Sequence, residues 1–185
     1  MKNYYLITKE ATKYWKKAIK SDRVMVANYD GKIYIVNGYN AFRFPAMPLL
    51  WDELARPAFM AEMPVDGAAV EYIRGEARPG CAPDIANLFN RNMEDRTPAA
   101  RMPFMSDANG ETCRLFKNTA GKLAIVNVKY DAMVDFSMAE SIYCAGSVNP
   151  VIAENEHFAA ILLPMRLSPI FADLARETFG GLTEA

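Results

Sequence analysis

Five lysines follow one face of the first amphipathic segment, and no acidic partner is found among them on that face. They are Lys9, Lys13, Lys16, Lys17 and Lys20. A solvated helix face normally mixes charge signs, so this pattern is unusual. The net charge is −1, and any binding of nucleic acid or membrane must therefore come from a local patch. The lysine face is the candidate patch; its alternative is an ordinary exposed lysine face.

The other reactive side chains form no recognisable catalytic or metal-binding pattern. His157 is the single histidine of the chain, and the cysteines lack the CxxC spacing of zinc sites. A nucleophile pair of Cys144 and His157 has no local signature. The chain has no Gly-rich phosphate loop, and acids such as Glu10 fit helix caps and helix surfaces. We therefore predict a protein that is not an enzyme and that uses neither a metal nor a cofactor.

A ten-residue segment of the chain occurs twice. Residues 118–127 repeat residues 28–37 with six identities, including the Asn at each end and a Gly-Lys pair. The glycine can take a positive φ, which predicts a β-hairpin with a loop of about three to five residues. Alternating apolar residues then give each following strand one apolar face. Because a sequence repeat at a fixed offset indicates duplication, we expect two related units.

The coarse element order is the same in both halves, namely β-α-β-β-β. The first half begins with a strand over Tyr4–Ile7 and a helix over Lys9–Ser21, before the hairpin. In the second half, residues 97–112 are predicted to be a long polar connection and Asp131–Phe136 a strand. The fold class is therefore α+β: duplicated β-α-β-β-β units, an antiparallel sheet with both helices on one face, and a C-terminal helix. We assign residues 1–185 to a single domain, with pseudo-repeat halves 1–66 and 67–167 and a tail helix over 168–185.

Composition places the chain among globular proteins. It has 185 residues, of which 51% are hydrophobic and 23% charged. Its three cysteines, Cys81, Cys113 and Cys144, are scattered and odd in number, which predicts a reducing, cytoplasmic location. The longest apolar run, Phe158–Met165, is far shorter than the roughly 20 residues that span a bilayer. We therefore expect no membrane partner.

The C-terminal strand resembles the terminal strand of bacterial DNA polymerase sliding clamps. In that family an apolar run closes on Pro-Met-Arg-Leu, as the run here closes on Pro164–Leu167. Asn149-Pro150-Val151 is similar to the entry to that strand, and Val36–Tyr39 resembles a clamp turn that reads Thr-Asp-Gly followed by His or Tyr. A clamp domain is itself a duplicated β-α-β-β-β unit with both helices on one side. The resemblance therefore implies a single DNA-clamp-like domain.

The resemblance also implies two binding sites. Clamp helices line the DNA channel, so the lysine face would contact the phosphates of duplex DNA without reading the bases. In clamps, the terminal strand and the turn of a neighbouring domain form an apolar pocket that receives short peptide motifs of polymerases. Ile161 and Leu163 match the strand part of that pocket, and Val36, Gly38 and Tyr39 match the turn part. The alternative for Ile161 and Leu163 is core packing.

Three functional interpretations follow. The first is a non-enzymatic, clamp-like binding module associated with DNA or a polymerase in the replication of a phage or mobile element. Clamps form rings, so this interpretation includes assembly of the chain into a homo-oligomer. The second is a protein-interaction or self-assembly domain that keeps the clamp fold without binding DNA. The third is an uncharacterised enzyme.

Overall fold

The computed structural model describes residues 2–92, 96–108 and 110–166, which fall into two compact units. The first unit comprises Met1–Arg91 and Glu156–Ala160, and the second comprises Asn92–Asn155 and Ile161–Ala185. Both units are built from antiparallel strands with few helices, which confirms the predicted α+β class. The tail helix over 168–185 lies outside the described residues.

The first unit holds a run of antiparallel strands in the spatial order β5-β4-β1-β2-β3. These strands are β1 (Arg23–Tyr29), β2 (Lys32–Val36), β3 (Asn40–Pro45), β4 (Ala68–Ile73) and β5 (Glu76–Cys81). The helices are α1 (Lys2–Ala18), α2 (Pro48–Leu50), α3 (Arg56–Phe59) and α4 (Ala82–Asn92), with a π-helical turn (Trp51–Ala55) between α2 and α3. The Pro79-Gly80 pair in the sequence predicts a loop, but both residues lie in β5 at the end of this strand order, where proline is tolerated.

The first helix begins earlier than the sequence predicts. The sequence predicts a strand over Tyr4–Ile7, and Thr8 is of a residue type that caps helices, but α1 runs unbroken through both. Thr8 lies inside the helix, and its carbonyl accepts a hydrogen bond from Thr12 Oγ1 at 2.7 Å. No glycine or proline separates the two segments, so the helix propagates through the β-branched and aromatic residues. The first half therefore lacks the initial strand of the predicted β-α-β-β-β order.

Helix α1 covers one face of the sheet with an apolar stripe. The Tyr14 ring stacks on Phe42 at 3.7 Å between centroids and lies 5.3 Å from Phe44. Phe42 and Phe44 are the cross-strand partners of Ile35 and Ile33, so all four side chains share this face. The predicted apolar face of β2 is therefore the face that α1 buries.

Helix α4 covers the opposite face of the same sheet. Its Phe89 packs edge-on against Tyr34 at 5.3 Å, and the Arg43 guanidinium lies 5.8 Å from the Phe89 centroid. Tyr34 and Arg43 are cross-strand partners and point away from the α1 face. The prediction that both helices lie on one face is therefore wrong. The helices lie on opposite faces because β2 has apolar side chains on both faces: Tyr34 is buried on one face, and its neighbours Ile33 and Ile35 are buried on the other.

The second unit contains a sheet in the order β6-β7-β8 and an antiparallel pair of β9 with β10. The strands are β6 (Ala99–Ala108), β7 (Glu111–Asn118), β8 (Leu123–Asn127), β9 (Ser141–Cys144) and β10 (Val151–Glu154), and α5 (Val128–Asp131) follows β8. A last strand, β11 (Ala159–Leu162), has two residues in each unit. Its four residues are buried, as the unbroken apolar run predicts.

Two predictions about this part of the chain are wrong. Residues 97–112 are not a connection but contain β6, whose pairing with β7 shifts register between Arg101 and Met105. Pro103 lies in that irregularity, which explains why the strand pattern was hidden. Asp131–Phe136 is not a strand, because Asn127 caps α5 by accepting a hydrogen bond from the Lys129 N–H. With β5, β6 and α5 added, the second half also departs from β-α-β-β-β.

The repeated segments form two hairpins with different loops. Tyr29 pairs with Lys32, so Asp30 and Gly31 alone make the first loop, and their φ values of 52° and 66° are those of a type I′ turn. In the second hairpin the Asn118 N–H donates to the Lys122 carbonyl at 2.9 Å, which leaves a three-residue loop. The expected loop length is thus confirmed for the second copy, and the first is shorter. The strand pairing of the second hairpin is therefore shifted by one residue relative to that of the first. Such a shift exchanges the two faces of a strand, and it is compatible with burial here because Leu115 and Phe116, which point to opposite faces of β7, are both buried.

The asparagines that begin the two repeats make equivalent hydrogen bonds. Asn28 Nδ2 donates to the Pro64 carbonyl, and Asn118 Nδ2 donates to the Cys144 carbonyl, each at 2.9 Å. Both side chains are buried; Asn28 connects its hairpin to the loop at Pro64, and Asn118 connects its hairpin to the end of β9. Asn118 Oδ1 also accepts a hydrogen bond from the Lys122 N–H at 2.8 Å.

Replacing Asn118 by Ala is expected to lower the free energy of unfolding by about 1–3 kcal/mol, because the buried Cys144 carbonyl loses its donor. Urea unfolding followed by circular dichroism measures the change. Asn149→Ala, at an exposed position, is the control and should leave the midpoint in place. Equal midpoints for the two variants would contradict the assigned role.

Candidate nucleic-acid interface

The five predicted lysines come together: four lie on the outer side of α1, and Lys20 lies in the turn that directly follows the helix. The helix is anchored by its opposite side, where Tyr14 and Trp15 are buried in the first unit. The lysines line one open depression on the surface, together with Glu10 and Thr12: Lys9, Lys13, Lys16, Lys17 and Lys20. Because the apolar stripe fixes the rotation of the helix, the ammonium groups are held on one surface.

Burial and neighbouring positive charge both act on Lys17. Its pKa is lowered from the usual 10.5, first by partial burial and next by the like charge of Lys13. The carboxylate of Glu10 acts in the opposite direction and raises it. An anion bound in the depression would relieve this crowding, so the local electrostatics favour a negatively charged partner.

Glu10 is the residue of this surface that sequence reasoning placed wrongly. It was expected to be a first-turn or surface acid, but α1 begins at Lys2, so Glu10 lies in the middle of the helix and is only 4% exposed. The sequence could have shown that Glu10 belongs to the lysine face, since positions 10, 13 and 17 fall on one face of a helix. The lysine face therefore contains one buried carboxylate.

Helix α4 does not extend the lysine face. Its exposed positions include Asp84, Asn87 and Asn90, none of them basic, and it covers the sheet face opposite to α1. A second basic helix beside α1, as in the channel of a clamp, is therefore absent from the described part of the first unit. The candidate interface consists of α1 and the turn after it that carries Lys20.

The residues predicted to form a peptide pocket are distributed over both units. Val36 ends β2 and is half-buried, Gly38 has a φ of +88°, and the neighbouring Tyr39 is 59% exposed in the same turn of the first unit. In the second unit Ile161 is buried in β11, whereas Leu163 just after the strand is 42% exposed. Burial of Ile161 agrees with its core-packing alternative, and the pocket itself stays a prediction.

The side chains considered for catalysis are engaged elsewhere. His157 Nε2 lies 2.8 Å from Glu156 on the surface, and Cys144 is fully buried. Across residues 2–92, 96–108 and 110–166, no three His, Cys, Asp or Glu side chains are grouped so that they could hold a metal ion. Within the same ranges, no helix has the length and apolarity to cross a membrane.

No protein-family model and no curated protein matches the sequence. Among solved structures, the chain is similar to the DNA polymerase III beta subunit of Borrelia burgdorferi, with 12% identity and a TM-score of 0.39 over 87% of this chain and 63% of the other. A putative DNA polymerase III beta subunit of Eubacterium rectale shows 10% identity and a TM-score of 0.36 over 84% and 63%. The beta subunit of Pseudomonas aeruginosa shows 14% identity and a TM-score of 0.29 over 79% and 58%.

The chain thus spans less than two thirds of the length of these proteins. With TM-scores below 0.5 and low identity, the likenesses carry no part of the functional argument, which rests on the residues of this chain.

Proposed function

We propose that this chain is a non-enzymatic module that binds duplex DNA through the lysine face of α1 without reading its sequence. The observation that carries the proposal is the depression lined by the five lysines, of which four lie on a helix whose other side is buried and Lys20 follows that helix directly. Lysine ammonium groups contact phosphates as point charges and release condensed counterions, which supplies affinity but no base recognition. The lowered pKa of Lys17 supports the same proposal, since a bound phosphate would stabilise the ammonium form that burial and the charge of Lys13 disfavour.

The clamp-type role beside a polymerase is a further part of the proposal. It is supported by the resemblance of Pro164–Leu167 and the duplicated hairpin to sliding clamps. In this proposal, residues 1–185 act as one clamp-like domain, and copies of the chain assemble around DNA. The exposed Tyr39 and Leu163 would then receive polymerase peptides across a protomer boundary. Light scattering tests the assembly, because a strict monomer at all concentrations excludes encirclement.

A single substitution tests the interface. Lys13→Gln is expected to weaken binding to a random-sequence duplex and to reduce the slope of log affinity against log salt by about 0.9, the value for one phosphate contact. Fluorescence anisotropy at several salt concentrations measures both quantities. Lys117→Gln is the matched control, since Lys117 is an exposed lysine on β7. Equal losses in the two variants would contradict a site on α1.

The interface should also depend on pH in a defined direction. Because the pKa of Lys17 is lowered, this side chain loses its proton at a lower pH than an ordinary lysine. Affinity for duplex DNA is therefore expected to fall as the pH rises toward the usual lysine pKa. Lys17→Arg keeps its charge throughout and should move this fall to higher pH.

Anisotropy titrations from neutral to alkaline pH measure the pH effect, with Lys16→Arg as the control that leaves Lys17 in place. Superimposable profiles for the wild type and Lys17→Arg would refute a contribution of Lys17 to binding.

A protein-interaction module that does not bind DNA is the second candidate. It is favoured by large apolar side chains at the surface, of which Tyr39 is 59% exposed and Leu163 is 42% exposed. Duplex binding separates the two functions, because this candidate predicts no salt-dependent affinity for DNA.

A further inference from the structure

Two sulfur atoms are in contact beside the β6-β7-β8 sheet of the second unit, and a third sulfur-bearing side chain packs against the same apolar cluster. The Cys113 Sγ lies 3.2 Å from the Met165 Sδ, so the two sulfurs are in direct contact. Met102 and Met165, both partly buried, pack against the cluster formed by Cys113, Leu115 and Ile125. Cys113 is fully buried, whereas the two methionines are partly buried.

Strand pairing and hydrogen bonds to main-chain groups hold these residues in place. Cys113 lies on β7 opposite Asn127 of β8. The Met165 N–H donates to the Ile125 carbonyl at 2.7 Å, which fastens the chain after β11 to β8. The Met102 carbonyl accepts a hydrogen bond from Arg114 Nη1 at 3.0 Å. The sulfur cluster is therefore supported by neighbouring strands and not by flexible loops alone.

We propose that Cys113, Met165 and Met102 form a site for a soft monovalent cation, Cu(I). A thiolate and thioethers are the donors that Cu(I) prefers, and they are poor ligands for hard cations. On binding, the S–H bond of Cys113 breaks, an Sγ–Cu bond forms, and the proton passes to solvent. The oxidation states of copper and sulfur do not change. The Cys113 Sγ lies 3.1 Å from the Glu111 carbonyl oxygen, and this hydrogen bond would be lost when the thiol is deprotonated.

Charge balance selects a monovalent ion. Leu115 and Ile125 make the surroundings of Cys113 apolar. One thiolate with one monovalent cation is neutral and can be buried there, whereas a divalent ion would leave a net positive charge in an apolar site. The donor set thus separates Cu(I) from Zn²⁺, which takes nitrogen, oxygen and additional thiolate ligands.

Binding requires a small rearrangement. Two sulfurs on one ion lie further apart than sulfurs in contact, so the Met165 thioether must move outward. Methionine has three rotatable side-chain bonds and adapts readily to such a change. Residues Cys113 and Met165 are 52 positions apart, so no spacing rule finds this pair in the sequence.

The test uses the full chain with Cys81→Ser and Cys144→Ala, which leaves Cys113 as the single thiol. Cu(I) is titrated in the presence of the competing chelator bicinchoninate, under reducing conditions. The expected result is one Cu(I) per chain, with none bound when Cys113 is also replaced by Ala. Met165→Leu keeps the apolar volume and should weaken the affinity for Cu(I) by at least about tenfold.

An unchanged affinity in Met165→Leu overturns the proposal, as does unchanged stoichiometry in Cys113→Ala. If replacement of Cys144 destabilises the fold, the comparison of Met165→Leu with its parent is made in the Cys81→Ser chain alone. In the Cys81→Ser chain, the competition with bicinchoninate measures the loss of the Met165 thioether as a lower affinity for Cu(I). An unchanged affinity would again overturn the proposal.

Discussion

Replacement of Lys13, Lys16 and Lys20 together by Glu is expected to remove measurable binding to duplex DNA. Each change deletes one phosphate contact and introduces a repelling carboxylate in the same depression. Nonspecific affinities are typically in the range of about 10⁻⁴ to 10⁻⁶ M at physiological salt, so a loss of more than roughly a hundredfold exceeds what anisotropy resolves. The loss should be the same for all duplex sequences, because phosphates carry no sequence information.

A control with the same net charge decides whether the effect is local. Lys32, Lys117 and Lys129 are exposed and lie outside α1, and their joint replacement by Glu makes the same change in net charge. This control should retain most of the wild-type affinity. Loss of binding in both triple variants would mean that net charge, and not the lysine face, governs the attraction. Circular dichroism of both variants checks that α1 stays folded.

Replacement of Asp131 by Asn is expected to give a large loss of stability. The Asp131 carboxylate is 2% exposed and receives two hydrogen bonds from Arg101, at 2.8 Å from Nε and 2.6 Å from Nη2. Its second oxygen also lies 3.5 Å from Arg114 Nε. These contacts raise the pKa of Arg101, mainly through its hydrogen bonds to Asp131.

Removing the carboxylate leaves two guanidinium groups close together without the charge that both of them face. Breaking a buried ion pair on one side costs about 3–5 kcal/mol, and the partial exposure of Arg101 places the expected loss near the lower end. Urea unfolding measures the difference in free energy. The exposed Asp66→Asn is the matched control. A loss below about 1 kcal/mol would mean that the pair behaves as a surface salt bridge.

The repeat made part of this fold predictable. Asn28 and Asn118 head the two copies, and both hairpins form where the repeat places them. The asparagines recur because each satisfies a buried carbonyl across the unit, which is a local requirement that the sequence displays. The differing loop lengths were not predictable, because they depend on which register the partner strand can bury.

Prolines concealed other strands. Pro79 and Pro103 suggested loops, yet Pro79 pairs in β5 and Pro103 lies in the irregular part of β6. Both positions depend on sheet neighbours, which propensity does not report. The burial of Tyr34 depends on a tertiary contact with Phe89 of α4. The alternation of apolar residues in β2 therefore indicated the face that carries Ile33 and Ile35 but not the opposite face, which is also covered.

The candidate site was largely visible in advance, because helical spacing alone places the five lysines together. The contacts missed were long-range ones. Arg101 and Asp131 are 30 positions apart, and Cys113 and Met165 are 52 positions apart. Glu10 was misjudged for a simpler reason, since its burial follows from where α1 begins.

The salt dependence of duplex binding by the unmodified chain tests the central claim most directly. The log of the association constant is expected to fall linearly with the log of the salt concentration, with a slope of about −0.9 for each engaged lysine. The slope should not be steeper than about −4.5 if all five lysines take part. Undetectable binding at the lowest salt concentration, or an affinity that does not change with salt, would contradict a DNA interface on α1.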